Sequence, residues 1–77
     1  MKPKIMKVEI YYPKHSYTPS FVIAHYASGH VRDFCPNCVP KTVFNFYKNR
    51  LFSWRRGEAY DVKVYEVGHD KLSKHPD

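Results

Sequence analysis

Cys35 and Cys38, separated by Pro36 and Asn37, are the residues best equipped for chemistry in this chain. Two thiolates at that spacing can grip one Zn²⁺ from a tight turn, but a structural zinc site takes four ligands. The chain holds two cysteines and five histidines. His30 is the nearest third ligand, with His69 or His25 as the fourth. None of these spacings is diagnostic of zinc. The expectation is therefore two free thiols at the start of a helix, with no metal required. Zinc held by Cys35, Cys38, His30 and His69 is the alternative.

The same pair can be read as a redox centre, because a helix N-terminus lowers the pKa of a nearby thiol. Cys35-Pro36-Asn37-Cys38 resembles the Cys-Pro-Tyr-Cys of glutaredoxins over these four residues. That resemblance implies thiol–disulfide exchange. In the family, however, the motif follows the first strand, and a substrate-binding strand with its proline comes later. Here three strands precede the motif and too little chain follows it. The proline after the first cysteine is also similar to zinc knuckles, although Val39 stands where those turns carry glycine.

Other catalytic constellations are missing. No serine or cysteine stands in a nucleophile-elbow context, and three glycines cannot form a phosphate-cradling loop. Seven carboxylates show no pairing that points to acid–base work. The histidines read as solvated or cross-strand residues. The expectation is a protein that is not an enzyme, with no catalytic residue.

Several elements must position these groups. Residues 5–12 alternate, with Met6, Val8, Ile10 and Tyr12 on one face and Ile5, Lys7, Glu9 and Tyr11 on the other, as a half-buried strand does. Residues 13–20 carry two prolines and form a loop. Residues 21–27 and 30–34 form a hairpin turned by Ser28-Gly29. A two-residue turn sets Ala24 opposite Asp33 and Ile23 opposite Phe34; the pattern leaves open which face is buried, because a slip of one residue exchanges them.

Residues 39–54 form a helix on the helical wheel, with Val43, Phe44, Phe46, Tyr47, Leu51 and Trp54 in one wide stripe and Phe52 opposite. Pro40 suits its first turn, and Arg55 and Arg56 complement its last. Residues 59–67 alternate again, with Tyr60, Val62 and Val64 inside and Asp61, Lys63 and Tyr65 outside.

The predicted fold class is α+β: a four-stranded, mainly antiparallel sheet in the order β-β-β-α-β, with one helix packed on one face. The last strand lies parallel beside the first. Residues 1–70 form this single domain, and 71–77 are a frayed polar tail.

Bulk properties bound the partner. The chain has 77 residues, 43% hydrophobic and 17% aromatic, and a net charge of +6. An acidic partner suits such a charge. No apolar run is long enough to cross a membrane. No apolar stretch at the N-terminus marks a signal peptide, and two cysteines are no disulfide framework, so the expected location is cytoplasmic.

The reading that follows is a small protein-binding module, an adaptor or inhibitor of a larger protein with an acidic surface, in the style of phage or mobile-element accessory proteins. Lys48, Phe52, Arg55 and Arg56 on the outer helix face lead the expected contact, with Tyr11 and Tyr65 on the open sheet face as further anchors. Nucleic acid bound by the basic helix end and the aromatic sheet face is the alternative.

Overall fold

The computed structural model describes residues 4–70. The expected tail at 71–77 lies outside the described residues. The chain forms strands β1 (Ile5–Pro13), β2 (Phe21–Tyr26) and β3 (Val31–Phe34), a short 3₁₀ turn (Pro36–Cys38), helix α1 (Lys41–Lys48), and strands β4 (Arg50–Arg56) and β5 (Tyr60–Asp70). The fold is α+β. The five strands make one antiparallel sheet in the order β3-β2-β1-β5-β4.

The expected helix over 39–54 is half helix and half strand. Asn49 caps α1: its backbone N–H reaches the Tyr47 carbonyl, and its side-chain amide donates to the Asn45 carbonyl at 3.1 Å. Beyond it, Phe52, Trp54 and Arg56 pair with Tyr65, Lys63 and Asp61 of β5. Short apolar runs satisfy helical and strand periodicity equally, and pairing along β5 decides the outcome here. The extra strand reverses the chain once more. β5 therefore lies beside β1, as expected, but antiparallel to it.

The hairpin slips by one residue against expectation. Ala24 faces Arg32 and Val22 faces Phe34. The Gly29 N–H donates to the Tyr26 carbonyl and the Tyr26 N–H to the His30 carbonyl, both at 2.9 Å, which makes a four-residue connection. Gly29 has φ +93°, a conformation that suits glycine. This register turns Val22 and Ala24 toward the helix.

The core lies between α1 and the sheet. Val8, Ile10, Val22, Ala24, Val43 and Tyr65 are buried there, flanked by Tyr12, Tyr26, Phe34, Phe46 and Tyr47. Val43 is fully buried, which contributes about 1.5–3 kcal/mol. Two corrections follow from the β1–β5 register, which pairs Val8 with Tyr65 and Ile10 with Lys63. Tyr65 is a core residue rather than an open-face anchor, and Lys63 shares its side. Val62 and Val64 lie on the face away from the helix, yet both are buried.

The β4–β5 turn leaves no room at Gly57. Its N–H donates to the Tyr60 carbonyl, and a Cβ there would lie 2.8 Å from that oxygen. Gly57→Ala should shift the turn and lower stability by about 1–3 kcal/mol in urea unfolding. Unchanged stability would mean that the turn relaxes freely.

Candidate functional site

Six rings form an unbroken series across the helix side of the sheet: Phe44, Tyr47, Tyr65, Phe52, Trp54 and Tyr12, with successive centroids 5.3, 5.3, 5.6, 5.8 and 5.8 Å apart. The series starts on α1, crosses the helix-to-sheet junction at Tyr65, and runs out along β4 and β1. Tyr65 within it is buried and Tyr47 and Tyr12 are half-buried, whereas Phe44 and Phe52 are each 43% exposed and Trp54 is 40% exposed. Burial pushes the Tyr65 pKa up to about 12, with Tyr12 and Tyr47 adding to the effect. Its hydroxyl therefore stays neutral at physiological pH.

Cations lie over these rings. Lys63 Nζ is 4.8 Å from the Phe52 centroid and 5.5 Å from those of Trp54 and Tyr12. The Arg56 guanidinium lies 4.5 Å from the Trp54 centroid, and Lys48 Nζ lies 5.7 Å from that of Phe44. Such contacts hold long side chains in place at modest cost. Phe44, Tyr47, Lys48, Leu51, Phe52 and Tyr65 line a hollow of about 300 Å³ at the helix end.

Of the expected partner-binding residues, Lys48, Phe52 and Arg56 come together here, although on a helix end and an edge strand rather than on one long helix. Arg55 does not join them. It points to the far face, where its guanidinium donates to Glu9 Oε2 and to the Tyr11 hydroxyl, both at 2.9 Å. Tyr11 is half-buried and stacks on Phe21 at 4.6 Å, with Tyr60 edge-on at 5.8 Å. The expected pairing of Arg55 with Arg56 fails because neighbouring strand residues face opposite sides. Phe44, Trp54, Tyr12 and Lys63 were not expected on this surface. The signals that mark it are Asn49, a common helix-stop residue, and the alternation of Phe52, Trp54 and Arg56 after it.

No protein-family model, curated protein or solved structure matches this chain. Cys35 and Cys38 are joined in a disulfide across the 3₁₀ turn, which corrects the expectation of free thiols. A bonded pair offers no thiolate to a metal. Among the described residues, no three His, Cys, Asp or Glu side chains gather as a metal ion would need, so Cys35, Cys38, His30 and His69 do not converge.

On the far face, Glu9 is a buried carboxylate, 4% exposed. It pairs with His25 Nε2 at 2.8 Å as well as with Arg55. Burial alone would raise its pKa, but the His25 hydrogen bond and the Arg55 charge outweigh burial and leave it below the usual carboxylate value. The unfolded chain thus holds the Glu9 proton up to a higher pH than the folded one. The contribution is present above the unfolded pKa and is lost as pH falls through the folded one. Glu9→Gln should destabilise the protein by about 1–3 kcal/mol at neutral pH. The gap from wild type should narrow below about pH 4, measured by urea unfolding across pH. A gap independent of pH would remove the charge from this account.

Proposed function

We propose that this protein is a non-enzymatic binding module that docks onto a larger protein through the exposed rings of the series on α1 and β4, Phe44, Phe52 and Trp54. The observation that carries this reading is the continuity of the rings with three of them left in water. Large contiguous apolar patches on small proteins mark interaction sites, and aromatic residues with arginine are the usual anchors. The hollow beside Phe44 and Phe52 would take an apolar side chain of the partner.

Charge supports an acidic partner. By register, Glu9, Asp33 and Glu66 lie on the far face. Asp61, on the ring side, is already engaged by Lys14 at 2.9 Å and Arg56 at 3.2 Å. Lys48 and Lys63 are in excess there. An adaptor or inhibitor role for a larger assembly fits a small domain whose exposed chemistry is contact rather than reaction.

The two parts of this surface should separate experimentally. With the protein immobilised and nuclease-treated lysate applied, a captured protein should be lost from Phe44→Ala/Phe52→Ala, with the melting temperature nearly kept. Lys48→Ala/Arg56→Ala should slow association with that protein, and more at low salt than at high salt. Capture that both variants retain, or that nuclease abolishes, would sink the reading.

A further inference from the structure

We infer that the cleft between the 14–18 segment and the ends of β4 and β5 binds a nucleotide unit, an aromatic base carrying a phosphate. This goes beyond the protein-docking reading: the cleft shares Tyr12, Trp54, Arg56 and Lys63 with the far end of the ring series and adds His15 and Tyr17 of the loop, which that reading does not use. The cleft has a volume of about 530 Å³; Tyr12, Trp54, Tyr17, His15, Arg56 and Lys63 line it, together with Asp61, whose carboxylate is held by Lys14 and Arg56. Three rings and two permanent cations around one concavity match the two halves of a nucleotide, a flat apolar face and an anion.

The loop is fastened rather than loose. The Lys14 N–H donates to the Ala59 carbonyl at 3.3 Å, the Ser16 N–H to the Pro13 carbonyl at 3.1 Å, and the Ser20 N–H to the Tyr11 carbonyl at 2.7 Å. The Thr18 N–H donates to Ser16 Oγ at 3.1 Å. Lys14 also ties the loop to Asp61 on β5. The concavity is thus present before any ligand arrives, as binding clefts usually are.

Within this fastened loop, His15 has φ +64°, the one positive φ among the described residues other than glycine. A backbone in the left-handed region is uncommon outside glycine and concentrates at functional sites. Here it holds a histidine at the cleft wall. Tyr17, two residues on, is 98% exposed. Folding leaves that ring almost wholly in water, so its contact area is still available to a ligand.

The charges are also unequal in what they leave over. Asp61 is shared by Lys14 and Arg56. Among the described residues, no carboxylate lies within ion-pair distance of Lys63. Its ammonium lies over rings instead, and a phosphate would offer it a stronger partner. The base would then stack on Tyr17 or against the layered Arg56 and Trp54.

Trp54 is the sole tryptophan of the chain, so its emission reports on this cleft directly. The whole protein is titrated with oligothymidylate, thymidine monophosphate, inorganic phosphate and polyglutamate. Oligothymidylate should quench Trp54 to saturation, with an affinity that falls steeply as salt rises. Quenching by the mononucleotide at equal affinity would identify a free nucleotide as the ligand, and quenching by the oligomer alone a single strand; either supports the inference. Tyr17→Ala, at a position where folding loses nothing, should weaken binding roughly tenfold. Phe44→Ala, which lines only the hollow at the helix end, should leave it unchanged, and this separates the cleft from that part of the protein-docking surface. The inference is overturned if the oligomer and the mononucleotide both fail to quench, if inorganic phosphate or polyglutamate reproduces the signal, or if Tyr17→Ala binds as tightly as wild type.

Discussion

A helix of eight residues is about 12 Å long, and five strands side by side span about 19 Å. One such helix cannot cover one face of such a sheet. Much of what is distinctive in this molecule follows from that mismatch. α1 settles over β1 and β2, where Val8, Ile10, Val22 and Ala24 close around Val43. The β4 side of the same face is left without a lid. Rings fill it instead, and Lys63 and Arg56 lie across them. A cation on an aromatic face covers apolar area while keeping its own charge near water. The uncovered half is thus tolerable in solution and remains a surface that a partner can improve on.

The opposite face solves the same problem differently. Among the described residues no helix covers it, yet Glu9, Val62 and Val64 are buried there. Tyr11, Phe21 and Tyr60 form a second ring cluster on that side, and Arg55 spans from β4 to β1. A buried carboxylate is costly unless each oxygen has a donor. Here one oxygen takes His25 and the other Arg55, so residues on three strands meet at one group. The pairing favours a single register across β2, β1, β5 and β4, because a slip of one residue would strand the charge.

Where the sequence was legible, a single physical signal dominated. β1 alternates cleanly from Lys7 onward, and its start and the two faces of that stretch were readable; an irregularity between Ile5 and Lys7 turns Ile5 instead of Met6 to the core, and the strand runs one residue further, to Pro13. The last strand was expected beside the first through a helical return that would make it parallel; β4 takes half of that helix, keeps the neighbours and reverses the direction. The helix boundary was not, because Leu51, Phe52 and Trp54 fit a helical stripe and a strand equally well. What decides between them is an open edge on β5, a partner remote in sequence. The hairpin register failed for a smaller reason: Ser28-Gly29 can close a two-residue turn, but the closure uses Ala27 and His30 as well. Lys48, Phe52 and Arg56 do lie on one side of the molecule, but on a helix end and an edge strand rather than on one long helix, whereas Arg55 and Tyr65 were assigned by a periodicity that the chain does not follow.

The edge position of β4 adds a final constraint. An edge strand exposes backbone donors and acceptors that can pair with any passing strand. β4 carries Arg50, Arg55 and Arg56 among its seven residues, the kind of charge that guards an edge against self-association. Yet the middle of the strand is Phe52-Ser53-Trp54, with two exposed rings on one side. Arg55 and Arg56 are already turned to Glu9 on one face and Asp61 on the other, so their long side chains flank the strand end on both sides while the two rings stay open at its centre.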